Sequence, residues 1–200
     1  MTIYSLKPRF QALLRPLTGA LARHGVTANQ VTLAAALLSA AAGALLAWYP
    51  SQAWALLLVP GVLFIRMALN AIDGMLAREH AMQSRLGALL NELGDVVSDA
   101  ALFLPFALVP GVPAWAIVLI VVLAVISEMT GVVAIQIGAA RRYDGPMGKS
   151  DRAFLFGALG LVLGLGVAPT GWIEPVALIV IALLVVTIFN RARRALAEPL

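Results

Sequence analysis

The sequence predicts an all-α integral membrane protein: six transmembrane helices preceded by an amphipathic interfacial helix, with both termini on the cytoplasmic side. Three observations predict it. Of the 200 residues, 62% are hydrophobic and only 12% charged, too little polar surface for a water-soluble domain. Apolar runs of about 20 residues, the length an α-helix needs to cross a bilayer, recur at roughly 28–48, 53–77, 86–108, 113–138, 151–168 and 172–190. The cations fall in alternate breaks between these runs, a pattern that sets orientation through the positive-inside rule.

Residues 3–23 place Ile3, Leu6, Phe10, Leu13, Leu14, Leu17 and Leu21 against Lys7, Arg9, Arg15 and Arg23. This spacing suits a helix lying in the interface, apolar face down and cations toward lipid phosphates; the alternative is a basic tail. Pro8 and Pro16 are positions where such a helix would divide or bend. Thr27 is placed to cap the first span. The turns at Trp48-Tyr49-Pro50, Pro110-Gly111-Val112-Pro113 and Pro169-Thr170-Gly171-Trp172 contain no Lys or Arg. The other breaks hold Arg78 and Arg85, then Arg141, Arg142, Lys149 and Arg152, and finally Arg191, Arg193 and Arg194. The chain reads as one domain over residues 1–200, with an interfacial helix in 1–25 and a six-helix bundle in 26–195.

Composition also excludes several classes. There is no cysteine, hence no disulfide framework, thiolate metal site or cysteine nucleophile. The sequence pI near 10.1 suggests nucleic acid only until the cations are located; at the membrane edges they point to topology and anionic headgroups. The first apolar run follows about two dozen mixed residues, unlike a cleavable leader. His24 and His80 fall at membrane edges and read as solvated.

The chemistry concentrates in Asn70-x2-Asp73-Gly74-x2-Ala77-Arg78-x8-Gly87-x3-Asn91-x3-Asp95. Polar groups inside a span are costly and by default functional. Helical periodicity puts Arg66, Asn70, Asp73 and Ala77 on one stripe, and Asn91, Glu92, Asp95 and Asp99 within an arc of about 100°. Two facing stripes of hard oxygen donors suit Mg²⁺, which favours octahedral oxygen coordination and bridges to phosphates. Gly74 and Gly87 remove side chains where a ligand or a neighbouring helix comes close.

This segment resembles the signature of the CDP-alcohol phosphotransferase (CDP-alcohol phosphatidyltransferase) family, Asp-x2-Asp-Gly-x2-Ala-Arg-x8-Gly-x3-Asp-x3-Asp. Six of the eight defined positions match, and Asn70 and Asn91 stand where the family carries aspartate. Val26-Thr27-Ala28-Asn29-Gln30-Val31-Thr32 likewise resembles the family's Thr-Pro-Asn-x-x-Thr helix start, with Ala28 in place of proline. The resemblance implies transfer of a phosphatidyl group from CDP-diacylglycerol to an acceptor alcohol, with release of CMP, in phospholipid synthesis. It implies a wall of Gly74, Ala77 and Gly87 for the cytidine diphosphate, with Arg78 near its phosphates, and Asp95 activating the acceptor hydroxyl. One or two Mg²⁺ or Mn²⁺ ions, a homodimer and a cytoplasm-facing site in the inner membrane are implied as well. With amides at two of four acidic positions the formal charge falls by half. Asn70, Asp73, Asn91, Glu92 and Asp95 are then the expected metal ligands, with Asp99 a further source of charge.

Two more features bear on function. Arg66, Asp99 and Glu128 lie twelve to fourteen residues from Arg78, Arg85 and Arg141, comparable depths of about 18–21 Å. They are expected to form a buried cluster in which Glu128, Asp99 or both neutralise Arg66. Gly145-Pro146-Met147-Gly148-Lys149-Ser150-Asp151-Arg152 resembles a Gly-x3-Lys-x2-Arg-like loop of many relatives. There Lys149 and Arg152 either hold a phosphate or serve topology, with Ser150 as a helix cap. Two other functional classes remain: a non-catalytic lipid- or nucleotide-binding protein on the same scaffold, and a small transporter using Arg66, Glu128 and Asp99. The transporter leaves the x8 and x3 spacings unexplained.

Overall fold

The computed structural model describes residues 6–198, which form seven α-helices in chain order and no strand. They are α1 (Leu6–Arg23), α2 (Ala28–Trp48), α3 (Ala53–Glu79), α4 (Arg85–Phe103), α5 (Ala114–Val133), α6 (Lys149–Gly164) and α7 (Ile173–Leu196). Short 3-10 turns extend α4 through Leu104–Leu108, at Pro105, and α5 through Ala134–Ile137. Ile3 of the expected interfacial helix lies outside the described residues.

Four helices are long and apolar enough to cross a membrane: Ala28–Trp48, Ala53–Glu79, Ala114–Ile137 and Ile173–Leu196. The third and fifth expected spans do not meet that standard. Helix α4 carries Arg85, Glu92, Asp95 and Asp99, and α6 has 16 residues, about 24 Å of rise. The fold is thus shown as all-helical with four such helices, rather than as six demonstrated spans.

The residues group into two compact units, one running up to Ala41 and over Gly61–Ser98, the other over Ala42–Pro60 and from Asp99 onward. Helices α2, α3 and α4 each supply residues to both. In the first unit, Ala28 and Val31 of α2 pack on Ile72 and Leu76 of α3, with Leu14, Leu21 and Ala22 of α1 against them. Leu13 and Leu17, on the other side of α1, stay exposed. Helix α1 therefore presents apolar surface on two sides, and it passes through Pro16 unbroken. Arg15 closes its outer edge with a bidentate pair to Glu79, at 3.1 and 2.9 Å. At the start of α2, the Gln30 amide donates to Thr27 Oγ1 (3.3 Å) and the Thr27 amide to Gln30 Oε1 (2.9 Å), a reciprocal cap.

In the second unit, Phe156 of α6 stacks on Phe103 with centroids 4.0 Å apart and meets Phe106 edge-on at 5.3 Å. Gly160, one turn further, lets α6 approach the first turns of α3. A Cβ there would stand 2.8 Å from the Leu56 carbonyl oxygen and 3.1 Å from Val59 Cβ. Gly160→Val should therefore force helix α6 away from α3, at a cost of about 1–3 kcal/mol. At this chain length that lowers Tm by several degrees. Gly61→Ala, where nothing lies within 4 Å, should leave thermal unfolding in detergent unchanged.

Candidate functional site

In the first unit, α3 carries Arg66, Asn70, Asp73, Gly74, Ala77 and Arg78, and α4 carries Gly87, Asn91, Glu92 and Asp95. The structure joins the two halves of the signature: Asn70 Nδ2 lies 3.5 Å from Asp95 Oδ1. The same oxygen is 3.8 Å from Arg66 Nη2, which also donates to the Asp95 carbonyl oxygen at 3.2 Å. Arg66 is buried, whereas the Asp95 side chain keeps 27% exposure. Asp73 is buried and its Oδ2 lies 2.9 Å from the Thr32 hydroxyl. That hydroxyl is also 3.1 Å from the Ala28 carbonyl oxygen, so one proton is shared between two acceptors. Thr32 was not among the expected site residues, although it ends the Thr27–Thr32 segment.

The glycines hold specific neighbours. A Cβ on Gly87 would meet Asn29 Oδ1 at 2.7 Å and Ser84 Oγ at 3.0 Å. Gly87 thus admits Asn29 from α2, while Ser84 caps α4 by accepting the Gly87 amide at 2.9 Å. A Cβ on Gly74 would lie 3.0 Å from Arg78 Nη2, so Gly74 makes room for the Arg78 guanidinium to fold back along α3. Ala77 packs beside the Ala28–Leu76 cluster.

Asp73 and Asp95, with the amide oxygens of Asn70 and Asn91, are hard oxygen donors, the chemistry that suits Mg²⁺ or Mn²⁺. Among the described residues, no three His, Cys, Asp or Glu side chains converge as a metal cluster. Glu92 therefore does not complete a three-carboxylate set with Asp73 and Asp95. On a helix it stands 60° round from Asp95, on the side away from Asn91.

The other expected residues lie in the second unit. Arg152 is buried and donates through Nε and Nη2 to Asp99 Oδ2 (3.3 and 3.0 Å) and through Nη2 to Glu128 Oε1 (3.0 Å). Glu128 also meets Arg141 at 3.1 Å and Arg191 at 3.3 Å. The depth argument placed Glu128 and Asp99 against Arg66. The structure adds partners that this argument did not name: Arg152 for both acids, Arg191 and Arg141 for Glu128, and Asp95 for Arg66. Matching depth along parallel helices says nothing of azimuth, so level alone could not choose among partners.

Arg191 is the residue that sequence reasoning missed. It had been counted as an edge cation, yet it is buried and donates to the Ser127 carbonyl oxygen at 2.5 Å and the Asp144 carbonyl oxygen at 3.2 Å. A signal was present: Arg191 continues the stripe Ile173, Ala177, Val180, Leu184, Thr187 and Ala195, all buried on α7.

The loop before α6 is tied to α7. Gly145 has φ +119°, and a Cβ there would fall 2.6 Å from Thr187 Cγ2; only glycine suits both demands. The Met147 amide donates to Thr187 Oγ1 at 3.0 Å. Gly148, rather than Ser150, caps α6, its amide donating to Asp151 Oδ2 at 2.9 Å. Asp144 pairs with Arg142 and Arg194, each at 2.8 Å. Burial pushes its carboxyl up, but the hydrogen bond from Arg142 and the charges of Arg142 and Arg194 prevail and hold it below its ordinary value of 3.8. A depressed carboxylate contributes stability above its unfolded value and loses it as pH falls through the lower folded one. The gap in Tm between the native protein and Asp144→Asn should therefore be constant above about pH 5 and close below about pH 4. A gap unchanged down to pH 3 would contradict it.

Comparison with known proteins follows from this geometry. Residues 25–190 match the family model of the CDP-alcohol phosphatidyltransferases. The chain is 48% identical over 196 residues to the inner membrane protein YnbA of Escherichia coli (strain K12), covering 98% of this chain and 97% of that one. Its fold is similar to phosphatidylinositol phosphate synthase (PgsA1) of Mycobacterium tuberculosis solved with CDP-DAG bound. That match has TM-score 0.77 and 21% identity over 92% of this chain and 94% of that one. The same protein in complex with manganese and citrate also matches, with TM-score 0.77 and 22% identity over 92% and 89%. The chain belongs to the CDP-alcohol phosphatidyltransferase family.

Proposed function

We propose that the protein transfers the phosphatidyl group of CDP-diacylglycerol to the hydroxyl of an acceptor alcohol, releasing CMP. The observation that carries this reading is the approach of Asn70 to Asp95 at 3.5 Å. It brings the two halves of the signature together around a carboxylate that retains access to solvent. Family membership supports it, as does the likeness in fold to a synthase solved with CDP-DAG.

In this reading the nucleotide lies along Gly74, Ala77 and Gly87, where small side chains allow close approach, and Arg78 pairs with its phosphates. Asp95 accepts the proton of the acceptor hydroxyl as that oxygen bonds to the diacylglycerol-linked phosphorus. The bond from that phosphorus to the CMP oxygen breaks, and CMP leaves with the electron pair. Arg66 fixes Asp95, and Thr32 fixes Asp73. Asn70, Asp73, Asn91 and Asp95 would hold Mg²⁺ or Mn²⁺, which when bound neutralises charge on the pyrophosphate. Lys149, at the start of α6, is a second phosphate ligand.

The protein sits in the inner membrane with six helices crossing or embedded in it, the cation-bearing breaks facing the cytoplasm. The test is to supply labelled CDP-diacylglycerol and a panel of alcohols to protein in detergent, with and without Mg²⁺, following CMP and the mass of the lipid product. Mg²⁺-dependent CMP release coupled to a new phospholipid is expected. Binding of CDP-diacylglycerol without turnover would replace this reading with that of a non-catalytic binder.

A further inference from the structure

Helix α1 meets the last turns of α3 beside Arg78. Its apolar face does the docking: Leu14, Leu21 and Ala22 pack on the cluster around Ile72 and Leu76, and the buried Thr18 hydroxyl lies 3.9 Å from Met75 Sδ. Arg15 stands outside that seam. Its Nε and Nη2 take both carboxylate oxygens of Glu79, at 3.1 and 2.9 Å, with the two side chains 58% and 38% exposed. An ion pair this exposed adds little to stability. What it does change is the charge next to Arg78.

Glu79 follows Arg78 in the chain, and its carboxylate lies within electrostatic reach of Arg78 and His80. Consecutive residues on a helix do not face each other, so Glu79 acts on Arg78 through its field rather than by contact. Arg78 is exposed and folds back toward Gly74, and among the described residues no carboxylate pairs with it. A bare carboxylate at position 79 would offset the attraction of Arg78 for an anionic pyrophosphate. Bidentate pairing with a guanidinium is the geometry that best neutralises such a group.

We propose that Arg15 is a positioning residue for the donor site: it neutralises Glu79, so that Arg78 presents its full positive charge to the pyrophosphate of CDP-diacylglycerol. This rests on the transferase reading given above, in which Arg78 pairs with those phosphates. Arg15 acts only through Glu79.

The experiment is equilibrium binding of CDP-diacylglycerol to the full-length protein in neutral detergent, at low and at high sodium chloride, with CMP release measured alongside. Arg15→Gln should weaken binding at least about threefold at low salt. The difference should close at high salt, where exposed charges are screened. KM for the donor should rise while kcat at saturating donor keeps its native value. Glu79→Gln should bind at least as tightly as the native protein, and adding it to Arg15→Gln should restore native affinity. Arg15→Lys, which keeps the charge, should retain most of the affinity. A mechanical clamp between α1 and α3 predicts otherwise: Glu79→Gln and the double variant would bind as weakly as Arg15→Gln, and that result overturns the proposal. Native affinity in Arg15→Gln at low salt overturns it too. If Arg15→Gln does not fold, the double variant decides: native affinity supports the proposal and weakened affinity overturns it. Binding without CMP release removes the transferase reading, while the affinities of the variants still decide the role of Arg15. A native protein that does not bind CDP-diacylglycerol removes both.

Discussion

Asp95→Asn should reduce CMP release from CDP-diacylglycerol by roughly 10²–10⁴-fold, the usual contribution of a positioned general base. The amide keeps the shape of the side chain and can still face Asn70 and Arg66, but it cannot accept the hydroxyl proton. Fold and nucleotide binding should survive, because the contact from Arg66 to the residue-95 carbonyl oxygen, at 3.2 Å, belongs to the backbone. The check is paired: CMP release under saturating substrate, and CDP-diacylglycerol affinity by equilibrium binding. A variant that turns over at the native rate with Mg²⁺ would remove Asp95 from the chemistry. Loss of turnover together with loss of binding would point to a pocket role instead.

Restoring the carboxylates, Asn70→Asp with Asn91→Asp, should produce the second large effect, opposite in sign with and without metal. In the native protein Asn70 offers an amide hydrogen toward Asp95 Oδ1 at 3.5 Å. A carboxylate in its place would set two like charges at that separation. At an effective dielectric near 20 their repulsion is about 5 kcal/mol before solvent screening, and the 27% exposure of Asp95 reduces it. The metal-free double variant should therefore unfold at lower temperature than the native protein. Mn²⁺ should more than reverse the loss, and its half-saturating concentration should fall at least about tenfold because two neutral donors have become charged. Metal-free Tm and Mn²⁺ midpoint both unchanged would show that Asn70 and Asn91 lie outside the ion's reach.

These two results bear on one property of the site. With two carboxylates, two amides and a buried arginine beside Asp95, the proposed site should be more stable without metal than four aspartates would be. The same chemistry should weaken its hold on a divalent ion.

Much of the architecture was legible from residue order. The starts of α2, α3 and α7 and the ends of α2 and α3 follow from apolar length, from Thr27 as a cap and from proline- or glycine-bearing turns, whereas α7 runs past the apolar stretch to Leu196. Those signals act within a few residues along the chain. Asn70, Asp73, Asn91 and Asp95 were legible for a similar reason, since the faces they occupy are set by helical repeat alone. Less legible were Thr32 beside Asp73 and Asn29 against Gly87, each more than 40 residues from its neighbour along the chain.

Arg191 and Arg152 show the limit most sharply. Both lie among cations whose distribution gives topology, and both continue buried stripes, on α7 through Leu184 and Thr187 and on α6 through Phe156 and Gly160. Topology explains why a cation is near a membrane edge, but not whether its guanidinium turns outward to headgroups or inward to a carboxylate.

By itself the sequence determined an all-helical membrane protein, its family, and the faces that carry its polar residues, because periodicity and spacing are local. Only the tertiary structure decided which charges meet: Arg66 with Asp95, and Arg152, Arg191 and Arg141 with Glu128 and Asp99. The physical reason is that the energy of a buried charge depends on what lies within a few ångströms across helices, and that distance is not written in the spacing along any one of them.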